Sequence, residues 1–217
     1  MVGTANELLI LDCDGVLVDS ERIAARVDAE VLGELGWPVS CDEVVERFVG
    51  SSTDHFVAEV QRRLGEELPS DWYEELARRQ QEAMAAELGP VPGVLATLEE
   101  IAIPTCVASN GSHEKLRLTL ALTGLRDRFD GRVFSADDVP RAKPAPDLFL
   151  HAAEAMGAAP EHCVVVEDSP TGVRAAKAAG MRVLAFAGGV VPVERLREQE
   201  ACLFTDMAEL PRLLERG

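Results

Sequence analysis

Five short apolar runs rich in β-branched residues punctuate this chain of 217 residues: Leu8–Leu11, 105–108, 132–134, 163–166 and Arg182–Phe186. Each has the length of a buried strand. From residue 90 onward they alternate with helical patterns. Val94, Leu95, Leu98 and Ile101 form a stripe before the second run, and Leu116, Leu120 and Leu122 form one after it. Phe149, Ala152, Ala153 and Met156 precede the fourth. Ser169-Pro170, Val173, Ala176 and Gly180 then supply an N-cap, a first-turn proline, an apolar stripe and a C′ glycine at consistent spacing. Strand–helix alternation predicts an α/β fold, a parallel sheet with helices on both faces.

Residues 20–89 break the rhythm. They hold no strand-like run. Ile23, Val27, Val31 and Leu35 recur every four residues; Phe56, Val57, Val60 and Leu64 form a second stripe; Trp72, Leu76, Ala83 and Leu88 form a looser third. This predicts an all-helical insertion after the first strand. Gly89-Pro90-Val91-Pro92-Gly93 marks the return to the sheet domain. The expected organisation is a discontinuous core, 1–19 with 90–217, and an inserted helical domain, 20–89.

The length supports one sizeable core plus a small accessory domain. A net charge of −17 argues against nucleic-acid and anionic-membrane partners. The N-terminal apolar run stops at Asp12, so no signal peptide or transmembrane segment is expected. Five scattered cysteines without a C-x-x-C pair suggest reduced thiols and a cytoplasmic protein. A monomer or weak homo-oligomer is expected. Lysine is scarce: Lys115, Lys143 and Lys177 stand against eighteen arginines, so a lysine in a suggestive place gains weight.

Chemistry-bearing residues gather where strands are expected to end. Asp12 and Asp14 flank Cys13 just after Leu8–Leu11, and residues i and i+2 share a face. Ser109-Asn110-Gly111 follows the second run, Lys143-Pro144 the third, and Glu167-Asp168 the fourth. Open parallel sheets place ligands at those ends. An acid pair, a hydroxyl with nearby amides, one cation and a second acid pair suit phosphoryl transfer through a carboxylate nucleophile. A hard divalent cation held by carboxylates would lower the charge repulsion, and Mg²⁺ prefers oxygen ligands.

The segments Asp12-Cys13-Asp14-Gly15-Val16-Leu17-Val18-Asp19-Ser20, Ser109-Asn110, Lys143-Pro144 and Glu167-Asp168, in this order along the chain, resemble the haloacid dehalogenase superfamily. That resemblance implies a three-layer Rossmann-like core, a helical cap and a Mg²⁺ cofactor. Among subgroups, the stretches from Val107 to Gly111 and from Arg141 to Asp147 resemble the β-phosphoglucomutase-like phosphatases, of the 6-phosphogluconate phosphatase type. The resemblance implies that Asp12 is nucleophile and metal ligand. Asp14 is then general acid/base, with its backbone carbonyl on the metal. Ser109 and the Asn110 amide hold the phosphoryl group, and Lys143 neutralises charge. Asp168 binds metal, with Glu167 beside it, directly or through water. The implied activity is hydrolysis of a small phosphorylated metabolite, a sugar or sugar-acid phosphate.

Departures from the family pattern narrow this. Dehalogenases lack the second acid, so Asp14 argues for phosphate esters. Ala24 stands where the mutases carry a cap histidine and Thr53 where they carry a cap arginine, which favours hydrolysis over the mutase alternative. No lysine lies in 20–89, which excludes the Schiff-base chemistry of phosphonate hydrolases. A receiver-type signalling domain or a non-catalytic binding protein is the alternative from another class. Specificity is expected from the cap, through Arg47 and the loop carrying Gly50, Ser51 and Thr53. The histidines show no zinc spacing.

Overall fold

The computed structural model describes residues 6–49 and 53–215. Its sheet has six parallel strands in the order β3-β2-β1-β4-β5-β6, formed by Leu8–Leu11 (β1), Thr105–Ser109 (β2), Val133–Ser135 (β3), Cys163–Glu167 (β4), Arg182–Phe186 (β5) and Cys202–Phe204 (β6). Every residue of β1, β2 and β4 is buried. Successive side chains on a strand point to opposite faces, so both faces of the central sheet are covered, as continuous apolar runs require. The covering segments include α5 (Val94–Glu100), α6 (His113–Leu122), α7 (Asp147–Met156) and α8 (Pro170–Ala178).

Strand β1 is central. Leu11 aligns with Val107 of β2 on one side and with Val166 of β4 on the other. The chain therefore turns in opposite directions from β1, which makes its C-terminal end the topological switch point where such sheets open a crevice. Three strands end one residue beyond the expected runs, taking Ser109, Ser135 and Glu167 into the ladder. Strand β6 lies outside the five apolar runs. It is a three-residue edge strand with Cys202 exposed, too short to show alternation; Phe204 packs on Phe186 at 5.3 Å between centroids.

The chain divides into two compact units, one comprising residues up to Asp19 and from Gly89 onward, the other Ser20–Leu88. The second unit contains α1 (Ser20–Glu34), α2 (Cys41–Phe48), α3 (Thr53–Leu64) and α4 (Trp72–Glu87). Its interior is an aromatic relay. Trp37 meets Phe48 edge-on at 6.1 Å, Phe48 meets Phe56 at 4.6 Å, and Phe56 stacks on Trp72 at 5.9 Å. Helix α2 lies outside the three expected stripes, although Val44, Val45 and Phe48 give it a short apolar face. Its signal is a capping box: Ser40 accepts from the Glu43 N–H while the Glu43 carboxylate accepts from the Ser40 N–H.

Candidate active site

Strand β1 delivers Asp12 to the switch point. The Asp12 N–H donates to the Val166 carbonyl (3.0 Å), extending the ladder one residue past Leu11. The chain then folds back: Gly15 N–H bonds the Val18 carbonyl, and Leu17 and Val18 N–H both bond the Cys13 carbonyl. Gly15 has φ +74°, and a Cβ there would lie 1.9 Å from Asp168 Oδ2. Both backbone conformation and space require glycine.

Lys143 is the hub. Its ammonium donates to Asp12 Oδ1 (2.6 Å), Glu167 Oε1 (2.7 Å) and the Ala108 carbonyl (2.8 Å), and it lies 4.6 Å from the Phe149 ring centroid. Its side chain is 3% exposed. Three acceptors satisfy its three protons. Burial pushes this lysine towards the neutral form, but the Asp12 and Glu167 carboxylates outweigh it and hold the ammonium above its ordinary range. Burial likewise pushes the Asp12 carboxyl up, with the Lys143 charge opposing and the Glu167 charge adding.

Asn110 acts on the backbone of Lys143. Its Oδ1 accepts from the Lys143 N–H (3.0 Å) and its Nδ2 donates to the Lys143 carbonyl (3.2 Å). The side chain is a two-point clamp, a role that residue spacing did not reveal. Ser109 ends β2, buried, with its Oγ accepting from the Gly111 N–H (3.3 Å). Glu167 is held from the other side: Oε2 accepts from the Ser169 N–H (3.1 Å) and hydroxyl (2.8 Å). A Cβ on Gly172 would lie 1.8 Å from that carboxylate, so the first turn of α8 admits Glu167 only because position 172 has no side chain.

Asp12, Glu167 and Asp168 each offer a carboxylate oxygen, and these oxygens lie within 4.8 Å of one another, all on buried residues. Against these three acids the cluster sets one ammonium, that of Lys143. A compact group of buried hard oxygen donors with excess negative charge fits a divalent cation. The loop after β5 also reaches this place: a Cβ on Gly189 would stand 3.6 Å from Asp168 Oδ2.

Asp14 faces a second lysine, which follows β2 in the first turn of α6. Lys115 Nζ donates to Asp14 Oδ2 at 2.6 Å. Cys13, between the aspartates, is fully buried. Burial and the flanking carboxylates push its thiol well up, which makes it an inert core residue. Arg47, in the last turn of α2, lies 3.9 Å from Glu59 and 5.8 Å from the Trp37 ring centroid. Gly50, Ser51 and the Thr53 side chain lie outside the described residues. The helical unit has a cavity of its own, about 200 Å³, lined by Glu21, Ala24, Phe48, Tyr73 and the pair Asp28–Gln80, joined at 2.7 Å.

The chain belongs to the haloacid dehalogenase-like hydrolase family, whose model matches residues 7–180. Its curated relatives place it among that family's phosphatases. It is 32% identical over 209 residues to 6-phosphogluconate phosphatase of Escherichia coli (strain K12), covering 95% of this chain and 94% of the relative. Among solved structures it is similar to a conserved haloacid dehalogenase-like protein of unknown function from Agrobacterium tumefaciens (TM-score 0.91, 35% identity, 98% of this chain and 99% of that one). It is also similar to a HAD family hydrolase from Deinococcus radiodurans R1 with bound phosphate and sodium (TM-score 0.84, 32% identity, 96% and 94% covered). Among the described residues no helix is long and apolar enough to cross a membrane.

Proposed function

We propose that this enzyme is a Mg²⁺-dependent phosphomonoester hydrolase that acts on a sugar or sugar-acid phosphate through a phosphorylated Asp12. The observation that carries the reading is the buried Lys143 ammonium shared between Asp12 Oδ1 and Glu167 Oε1. It orients the carboxylate, and Oδ2 is the oxygen left to approach phosphorus. The Ser109 hydroxyl and the Asn110 backbone amide, at the neighbouring strand end, receive the phosphoryl oxygens. Asp14 gives a proton to the departing alkoxide and takes one from the water that cleaves the phosphoaspartate. Asp12, Asp168 and the Asp14 carbonyl would hold the cation, with Glu167 beside them. When bound, Mg²⁺ supplies positive charge that offsets repulsion between carboxylate and phosphate.

The similarity to 6-phosphogluconate phosphatase supports a sugar-acid phosphate. Residues 20–88 serve as the cap, bringing specificity and excluding water. Its Asp28–Gln80 pair suits hydroxyl groups, and Arg47 is the residue there for an anionic group of the substrate. Ala24 offers no titratable group, which favours hydrolysis over mutase chemistry. Asp12→Asn should abolish turnover of p-nitrophenyl phosphate in Mg²⁺, and chelation should do the same to the native enzyme. Turnover at native rates in Asp12→Asn would sink the mechanism. Incubation with a panel of sugar phosphates should release inorganic phosphate; an isomerised sugar phosphate instead would make the enzyme a mutase.

A further inference from the structure

Two of the chain's three lysines converge on the aspartate pair, one for each carboxylate. Lys143 takes Asp12; Lys115 takes Asp14 at 2.6 Å. The second contact is locally unexpected. Lys115 lies in the first turn of α6, where its N–H bonds the N-cap hydroxyl of Ser112 (3.3 Å). A helix N-terminus carries partial positive charge and disfavours a cation. In a chain that otherwise uses arginine, a lysine here costs helix stability and reaches across 101 residues of sequence to one carboxylate.

The start of α6 is also braced. The His113 N–H donates to Asp137 Oδ2 (3.0 Å), and the His113 ring bonds Asp138 Oδ1 (2.7 Å). The Ser135 hydroxyl donates to the Gly111 carbonyl (2.7 Å), and Asp138 Oδ2 accepts from the Ser135 N–H (2.8 Å). Two sides of the 111–113 segment are thereby tied to the end of β3. A cation on a fixed element can set the rotamer of its partner.

We propose that Lys115 is the positioning residue for Asp14. It holds Oδ2 and so fixes the rotamer from which the Asp14 carboxyl exchanges the proton. This rests on the role of Asp14 proposed above. In the first half-reaction the bond from Asp12 to phosphorus forms as the bond from phosphorus to the ester oxygen breaks. The proton on the Asp14 carboxyl passes to that departing oxygen, and the carboxylate left behind is paired by the Lys115 ammonium. In the second half, water oxygen bonds phosphorus, Asp12 is released, and a water proton returns to the Asp14 carboxylate. Lys115 neither gains nor loses a proton in the cycle.

The test is a leaving-group series. Values of kcat/KM for p-nitrophenyl, phenyl and p-methoxyphenyl phosphate are measured for the native enzyme, Lys115→Met, Lys115→Arg and Asp14→Asn. General acid catalysis contributes about 10²–10⁴-fold, and the poorest leaving groups depend on it most. Asp14→Asn should lose little on p-nitrophenyl phosphate and about 10²-fold on p-methoxyphenyl phosphate. Lys115→Met should steepen the series in the same sense, by roughly 10-fold between its ends. Lys115→Arg, which keeps the charge, should recover part of that loss. Thermal melting confirms that the variants are folded, with Lys115→Gln replacing Lys115→Met where that variant is not. An equal loss on all three esters makes Lys115 a substrate anchor and overturns the proposal, as does no loss. If Asp14→Asn leaves the series unchanged, the role of Asp14 itself fails. If only Asp14→Asn steepens it, the assignment of Lys115 alone fails.

Discussion

Lys143 joins stability to chemistry. Replacing it with methionine keeps the volume but leaves Asp12 and Glu167 buried together without their shared cation. Breaking a buried ion pair in this way costs about 3–5 kcal/mol. Lys143→Met should therefore unfold at markedly lower urea as well as lose activity; an unchanged urea midpoint would refute this account of the cluster. Gly15 gives a second residue-scale prediction. Gly15→Ala demands a left-handed backbone from alanine, at about 1–2 kcal/mol, and pushes its Cβ into Asp168. Activity should fall even where the variant remains folded, because Asp168 must move. The acids were legible in sequence because carboxylates directly after apolar strands stand out against a core. The Asn110 clamp and the Lys115 contact were not, because each joins segments that are far apart in sequence.

Among elements, α2 depends on its cap. Ser40→Ala removes the hydroxyl that accepts from the Glu43 N–H, at about 1 kcal/mol. The loss should register in the helical unit, through an earlier Trp37 and Trp72 fluorescence transition on denaturation. Helix α1 carries a different dependence. Burial raises the Asp28 carboxyl from 3.8 to about 6, with the Gln80 hydrogen bond opposing. Between those values the folded state binds more protons than the unfolded one, so stability falls as pH rises through the interval and levels off above it. Asp28→Asn should flatten that part of the stability–pH curve; an unchanged curve would remove Asp28 as its source. Periodicity revealed α1, α3 and α4, since each has an apolar stripe. Helix α2 is only eight residues long, so its apolar face of Val44, Val45 and Phe48 is too short to stand out as a stripe.

At the scale of the molecule, six parallel strands bring acids from β1 and β4 to one crevice with excess negative charge. A cation bound only by the native state must stabilise it. Mg²⁺ at 100 times its Kd should add about 2.7 kcal/mol. Melting temperature should therefore rise with Mg²⁺ and fall with chelator in the native protein, and Asp168→Asn should respond to neither. Strand–helix alternation, a helical interruption after the first strand and polar motifs at strand ends were determined by the sequence itself, because they are local: apolar period, turn residues and adjacent charges. The six-strand order, the sixth strand and the choice of partners were decided only by the tertiary structure. Whether a lysine at position 115 is solvated or paired with Asp14 depends on the distance between segments that only the packed sheet brings together.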